Sequence, residues 1–428
     1  MHVALTPRCL QKLTAALVLC CLAGCAGHSR STLATMALPR ANLAHLQHLS
    51  EPVTVADRDA LAVWIYAEAP DYHHVTDDDE GFSCVDDVAR FVVVVLLHAR
   101  RTGSKEAEEL ARGGLAFVMA MQADDGQFYN FIFPDRSINR TGHTSFKDHG
   151  WWASRALWAL GSATRFFARK DPELAARCRA AAHRLLPWYD GYLEAYGTFA
   201  DEDGGKLPRW LLKGRGDVTS EAVLGMLELY QAKPDPKLGS TIAQLCDGLA
   251  AFQVTDPRKA MFGAHPSSTA EPELWHHWGS RQSMALARAF RVLPNHENSL
   301  SWLKSAVLEA DKFFEPMLYS HVPENIRAGV TKPYPQIAYG LNSLILGFLE
   351  IYRASGEDRY LQLAHAAYSW YRGENPAGVA MYDPSSGRCF DGILAKDKVN
   401  RNSGAESTIE ALLALEEMLS AVPGDARL

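Results

Sequence analysis

The chain is short of the features that sort a protein quickly. Its 428 residues hold no run of Lys or Arg, and 43 basic against 50 acidic side chains leave a net charge of −7. Nucleic-acid binding needs a basic patch or stripe, so that class is excluded. Cysteine is sparse beyond Cys25, with Cys84, Cys178, Cys246 and Cys389 far apart and no CxxC or Cys/His cluster spaced for zinc. No metal and no cofactor are therefore expected. A Cys84–Cys389 bridge and four free thiols both fit the spacing. Continuous apolar runs of strand type are also rare, Phe91–Leu97 being the main exception.

What is present begins with an address. Arg8 and Lys12 precede the apolar stretch Leu13–Leu22, and small residues follow up to Cys25. That order describes an export signal, and the stretch is too short for a permanent span, which needs about 20 residues. Leu22-Ala23-Gly24-Cys25 resembles a bacterial lipobox. The expected organisation is a lipoprotein signal over 1–24, lipidation at Cys25, a flexible tether over 25–50 and one catalytic domain over 51–428. The protein would then face the periplasm or exterior from a lipid anchor, more readily in the outer membrane than the inner. Its only expected partners are that membrane and a carbohydrate, and it is expected to be a monomer.

From about residue 55 two kinds of helix alternate. Glu106–Gln122, Pro172–Tyr189, Leu238–Phe252, Leu300–Met317 and Arg359–Tyr371 are amphipathic, with one charged face. Between them lie Asp86–Leu97, Trp151–Phe167, Ser220–Tyr230, Ser280–Leu293, Ile337–Tyr352 and Glu406–Leu419, which carry few charges and suit a buried position. The second set starts near residues 84, 149, 218, 279, 336 and 404, a period of roughly 60 residues. Six outer–inner hairpins closing into a ring make an all-α (α/α)6 toroid, and Phe91–Leu97 falls inside one of its buried helices.

Parallel inner helices open all their N-termini on one face, where unpaired N–H groups and the helix dipole favour carboxylates and hydroxyl-rich ligands. The unusual residues collect there: Asp86 and Asp87; Asp148, His149, Trp151 and Trp152; Glu221; Trp275, His276, His277, Trp278, Arg281 and Gln282; Asn402 and Glu406. The loops 126–143 and 373–402 add Tyr129 and Tyr382. Aromatic rings beside carboxylates and amides suit a sugar, which has an apolar C–H face and many hydroxyls. Capping boxes at Ser83–Asp86, Ser145–Asp148 and Ser403–Glu406 would explain three of the acids with no ligand at all.

The periodicity resembles the six-hairpin glycosidase superfamily. The strings DDVAR, DGQFYNF, RALWALG and NxNxGAEST resemble an uncharacterised bacterial (α/α)6 domain found with glycosyltransferases. A more distant likeness is to family-nine inverting glycoside hydrolases, with Asp86-Asp87, Gly373-Glu374-Asn375-Pro376 and Glu406 in corresponding places. The resemblance implies an inverting glycosidase acting on a polysaccharide or oligosaccharide, with Glu406 as general acid, Asp86 or Asp87 as base, and Glu221 and Asp148 in reserve. Two rivals stay open: a lyase or epimerase working through His149, His276, His277 or Tyr129, and a glycan-binding lipoprotein with no catalysis.

Overall fold

A computed structural model describes residues 37–202 and 205–421; the signal, Cys25 and the first part of the expected tether lie outside them. The chain opens with a short helix, α1 (Ala44–Leu49), and an antiparallel hairpin, Ser50–Val55 with Arg58–Val63. Four helical hairpins and a fifth follow: α2 (Val85–Thr102) with α3 (Lys105–Ala120), α4 (Trp151–Phe167) with α5 (Pro172–Leu185) and the short α6 (Pro187–Leu193). Then come α7 (Gly216–Ala232) with α8 (Pro236–Ala251), and α9 (Gln282–Val292) with α10 (Ser299–Glu309), which runs through a π turn into α11 (Glu315–Ser320). Last are α12 (Ala338–Ser355) with α13 (Asp358–Tyr368), and α14 (Ala405–Ala421).

The ring closes. Helix α2 packs on α4, α4 on α7, α7 on α9, α9 on α12, α12 on α14, and α14 returns to α2. Phe91–Leu97 is helical, as the period requires, with Phe91, Val92, Val94 and Val95 fully buried. β-branched residues are poor helix formers by a few tenths of a kcal/mol each, which burial on all sides outweighs. Three of the outer helices start on side-chain caps: Ser104 Oγ accepts from Ala107 N–H, and Asp171 and Asp235 cap α5 and α8, each ahead of a proline.

Two expectations change. Among the described residues the sixth outer position holds α1 and the hairpin against α3, and five long outer helices surround six inner ones. Residues 44–49, expected within a flexible tether, instead form α1, with Leu46 and Leu49 fully buried in the common core. Cys84, Cys178, Cys246 and Cys389 are all buried free thiols, and no bridge joins Cys84 to Cys389.

Helices α4 and α7 approach through two glycines. A methyl group at Gly161 would lie 2.4 Å from the Gly225 carbonyl oxygen, and one at Gly225 2.6 Å from the Leu157 carbonyl carbon. Both neighbours are backbone, so neither can rotate away. Gly225→Ala is expected to destabilise the fold by about 1–3 kcal/mol, read as a lower denaturant midpoint; an unchanged midpoint would show that the helices separate freely.

Candidate active site

Helix α2 starts with its N–H groups already satisfied. Asn130, in the loop 126–143, accepts from Val85 N–H through its carbonyl oxygen at 2.8 Å and from Asp86 N–H through Oδ1 at 3.1 Å. Cys84 Sγ accepts from Asp87 N–H. The serines of the presumed capping boxes are engaged elsewhere: Ser83 Oγ accepts from Val63 N–H and Ser145 Oγ from Phe131 N–H. At the start of α14 it is Asp391 that accepts from Gly404 N–H and Ser407 Oγ. Asp86 and Glu406 are thereby released from capping, whereas Asp148 does accept from Gly150 N–H.

Asp86 instead joins a belt of charge across the lumen, to which every inner helix contributes a polar or charged group. Arg90 of α2 binds Asp87 Oδ1 at 2.5 Å and Glu410 Oε1 at 2.7 Å. Glu410 of α14 passes through its other oxygen to Arg281, at the start of α9, also at 2.7 Å. Arg281 donates to Asn342 Oδ1 of α12 at 2.5 Å. Glu221 of α7 lies 3.6 Å from Arg155 and 3.7 Å from Arg281. Arg155 of α4 pairs with Asp86 Oδ2, which closes the circuit back to α2. Arg90 and Arg155 both lie over the ring of Tyr339, at 4.8 and 5.6 Å.

The electrostatics divide the carboxyl groups by task. Burial disfavours the charge on Glu410, but Arg281 and Arg90 outweigh it and hold the group below the usual carboxylate range. Burial raises Glu221 despite Arg155 and Arg281, and raises Asp87 despite Arg90. Glu406, one helical turn before Glu410, has no arginine of its own. Burial pushes it up to about 8, with the charges of Asp87 and Glu410 adding and those of Arg90 and Arg155 opposing. It keeps its proton at neutral pH while an ion-paired Asp86 sits at the adjoining helix end.

Above the belt a cleft of about 620 Å3 is lined by Asp86, Trp151, Trp152, Asp148, His276 and Trp278, among others. Trp151 lies over Arg155 at 4.8 Å and Arg215 at 5.1 Å. Arg215 grips Asp217 with two hydrogen bonds, and Asp217 Oδ2 is 3.2 Å from His276 Nε2. Gly279, with φ +68°, fits where a methyl group would lie 3.3 Å from both Trp151 and Arg155. Asp86 Oδ1, both Glu221 oxygens, Arg155 Nη2, Gln282 Nε2 and His276 Nδ1 are buried without a hydrogen-bond partner. Unpaired buried polar atoms are expensive, and a concentration of them marks a place built for a polar ligand.

The structure separates the remaining candidates. Tyr129 lines a different groove with Asp124 and Lys147, its face covered by Arg140. His149 is satisfied by Gln127 and Tyr192 and stacks on Trp188. Trp275 and His277 are fully buried, Trp275 against Phe313 and Phe314. Burial pushes His277 well below the usual imidazole range. Tyr382 is buried and its hydroxyl accepts from Asn42 N–H; Asn402 Oδ1 accepts from Ala69 N–H, tying two loops together. Trp152 forms cleft wall while its Nε1 donates to the Phe128 carbonyl, and Asp148 is paired with Lys213 at 2.8 Å. Arg90, Arg155 and Glu410 lie outside the expected site residues, although a charge inside an otherwise apolar inner helix is a signal that the sequence displays; Tyr339 and Asn342 carry no such signal. Among the described residues no cluster of three or more His, Cys, Asp or Glu is arranged to hold a metal, and no helix is long and apolar enough to cross a membrane.

No family model matches the chain, and no curated protein does. Solved structures do. The fold is the (α/α)6 toroid. Cellobiose 2-epimerase from Bacillus thermoamylovorans superposes with a TM-score of 0.61 at 12% identity, over 89% of this chain and 96% of that one. A D-mannose isomerase gives 0.57 at 10% identity, over 84% and 92%. A glycoside hydrolase family 9 endoglucanase gives 0.52 at 15% identity, over 85% and 74%. The likeness to the six-hairpin superfamily, and the distant one to family-nine hydrolases, is thus matched in three dimensions; at these identities it establishes the fold alone.

Proposed function

We propose that the chain is a carbohydrate-active enzyme that hydrolyses a glycosidic bond by inversion. The reading is carried by two carboxyl groups at the starts of adjoining inner helices, Glu406 of α14 with its carboxyl raised to about 8 and Asp86 of α2 with Oδ1 unpartnered. Both sit where the first and last inner helices meet. Glu406 gives its proton to the departing glycosidic oxygen while Asp86 Oδ1 takes one from the water that attacks the anomeric carbon. Asp87 is excluded as the base because Arg90 and burial enclose it, so its work is to keep Glu406 protonated. Trp151 and Trp278 line the cleft that receives the sugar, Trp151 with Arg155 and Arg215 over its ring.

A second reading is favoured by the His276–Asp217 pair. The unpartnered Nδ1 of His276 belongs to the same cleft as Asp86, and an imidazole so oriented can move a proton at a sugar carbon. The epimerases and isomerases on this fold keep that reading alive. Product analysis separates the two: hydrolysis releases new reducing ends, whereas epimerisation returns an isomer of unchanged mass. An unsaturated product would support the lyase instead, and bound glycan with no turnover at all would support the non-catalytic rival. Trp151→Ala is expected to raise KM by roughly 10–100-fold with a smaller change in kcat, and an unaltered KM would remove Trp151 from the sugar-binding surface. Export and lipidation at Cys25 remain part of the proposal and would place this chemistry at the cell envelope.

A further inference from the structure

We infer a second saccharide-binding site, outside the lumen, between α11, α13 and the loop 369–376. This rests on the carbohydrate reading above and extends it to a place that no catalytic residue touches. The site is a cavity of about 560 Å3, close in size to the active cleft and within the range of small-ligand sites.

Its rim carries Tyr319, 65% exposed, which leaves a face for a pyranose ring. Its wall carries His365, whose Nε2 is buried without a hydrogen-bond partner, and burial together with the nearby Arg372 keeps that imidazole below its ordinary range and neutral. A neutral imidazole donates through one nitrogen and accepts through the other, as a hydroxyl requires. His321, Arg372 and Glu374 complete the lining with both signs of charge, so no single-sign field selects an anion. Asn375 and Gln336 are spent internally: Asn375 bridges the Trp370 and Val379 carbonyls, and Gln336 Oε1 accepts from Trp370 Nε1. Arg372 Nη1 donates to the Ala37 carbonyl at 3.4 Å, so the polar groups facing the cavity are His321, His365, Glu374, the Tyr319 hydroxyl and the rest of the Arg372 guanidinium.

Position gives the site a use. Gln336 immediately precedes α12 at the end of the toroid where the catalytic carboxyls gather, so the cavity shares that face with the active cleft. The segment between them runs from Val322 through Glu324, whose carbonyl accepts from His277 N–H, to the Pro335 carbonyl that accepts from Glu324 N–H. A polymer that leaves the lumen over this segment would meet Tyr319.

The test is affinity electrophoresis of the full chain through gels cast with soluble β-glucan, xylan or mannan, beside turnover on short oligosaccharides. In the retaining gel, Tyr319→Ala and His365→Ala should each weaken binding roughly tenfold or more, Tyr319→Phe should restore it, and kcat on oligosaccharides should stay at the parent value. Retention unaffected by Tyr319→Ala and His365→Ala, or no retention of the parent in any gel, overturns the second site. The two proposals fail separately. If Glu406→Gln leaves turnover intact while retention still depends on Tyr319, the catalytic assignment falls and the second site stands.

Discussion

Glu406→Gln should lower turnover by roughly 10²–10⁴-fold while making the protein more stable at neutral and alkaline pH. The first effect follows from removing a general acid, whose contribution is typically of that size. The second follows from linkage. An unfolded glutamate releases its proton near 4.5, whereas folded Glu406 releases it near 8. Between those values the folded state binds more protons than the unfolded, so stability is fully present below about 4.5 and is lost as pH rises to about 8. Glutamine carries no such penalty. The gain in melting temperature of Glu406→Gln over the parent should therefore widen from pH 5 to pH 8 and then level off. The parent's kcat should fall above about pH 8 as the acid ionises. A constant stability gap would mean that Glu406 is an ordinary surface carboxylate.

Glu410→Ala should have the opposite effect on the fold, destabilising it by about 3–5 kcal/mol. Glu410 is fully buried between Arg90 and Arg281, and its removal leaves two guanidinium groups facing an empty partner position. Asn342 Nδ2 donates to the backbone carbonyl of Glu410, so that bond survives the substitution and the charge is what is lost. A kinetic consequence comes with it. The charge of Glu410 is one of the influences raising Glu406, so its loss should move the alkaline limb of kcat to lower pH. Chemical denaturation with a pH profile on the folded fraction reads both effects. A loss under about 1 kcal/mol with an unmoved limb would show that the belt is not coupled to the acid.

Much of this could be read from the sequence, because it depends on pattern. The period of roughly 60 residues and the near absence of charge in alternate helices predict six buried helices and a ring. Asp86, Glu221, Arg281 and Glu406 meet because they occupy equivalent starts of those helices. The misassigned residues fail for local geometric reasons. Trp275, His276, His277 and Trp278 were read as one cluster, but Leu274–His276 is a strand, and side chains alternate along it. Trp275 and His277 consequently turn to Phe313, Phe314 and the core, leaving His276 and Trp278 to the cleft. Trp151 and Trp152, about 100° apart on a helix, take different partners, Arg155 and Arg215 for the one and the Phe128 carbonyl for the other. Tyr129 and His149 follow irregular chain whose course no periodicity records. The belt itself was half visible: Arg90, Arg155 and Glu410 stand out as charges in apolar helices, but which of them meet across the lumen is a property of the closed ring.

The measurement that bears most directly on the whole account is the protonation state of Glu406, followed by infrared difference spectroscopy of the carboxyl stretch between the parent and Glu406→Gln. A protonated carboxyl band present at pH 7, absent from Glu406→Gln and titrating away near pH 8, is the predicted result. A Glu406 already ionised at pH 6 would contradict the assignment of the acid and, with it, the proposed division of labour in the lumen.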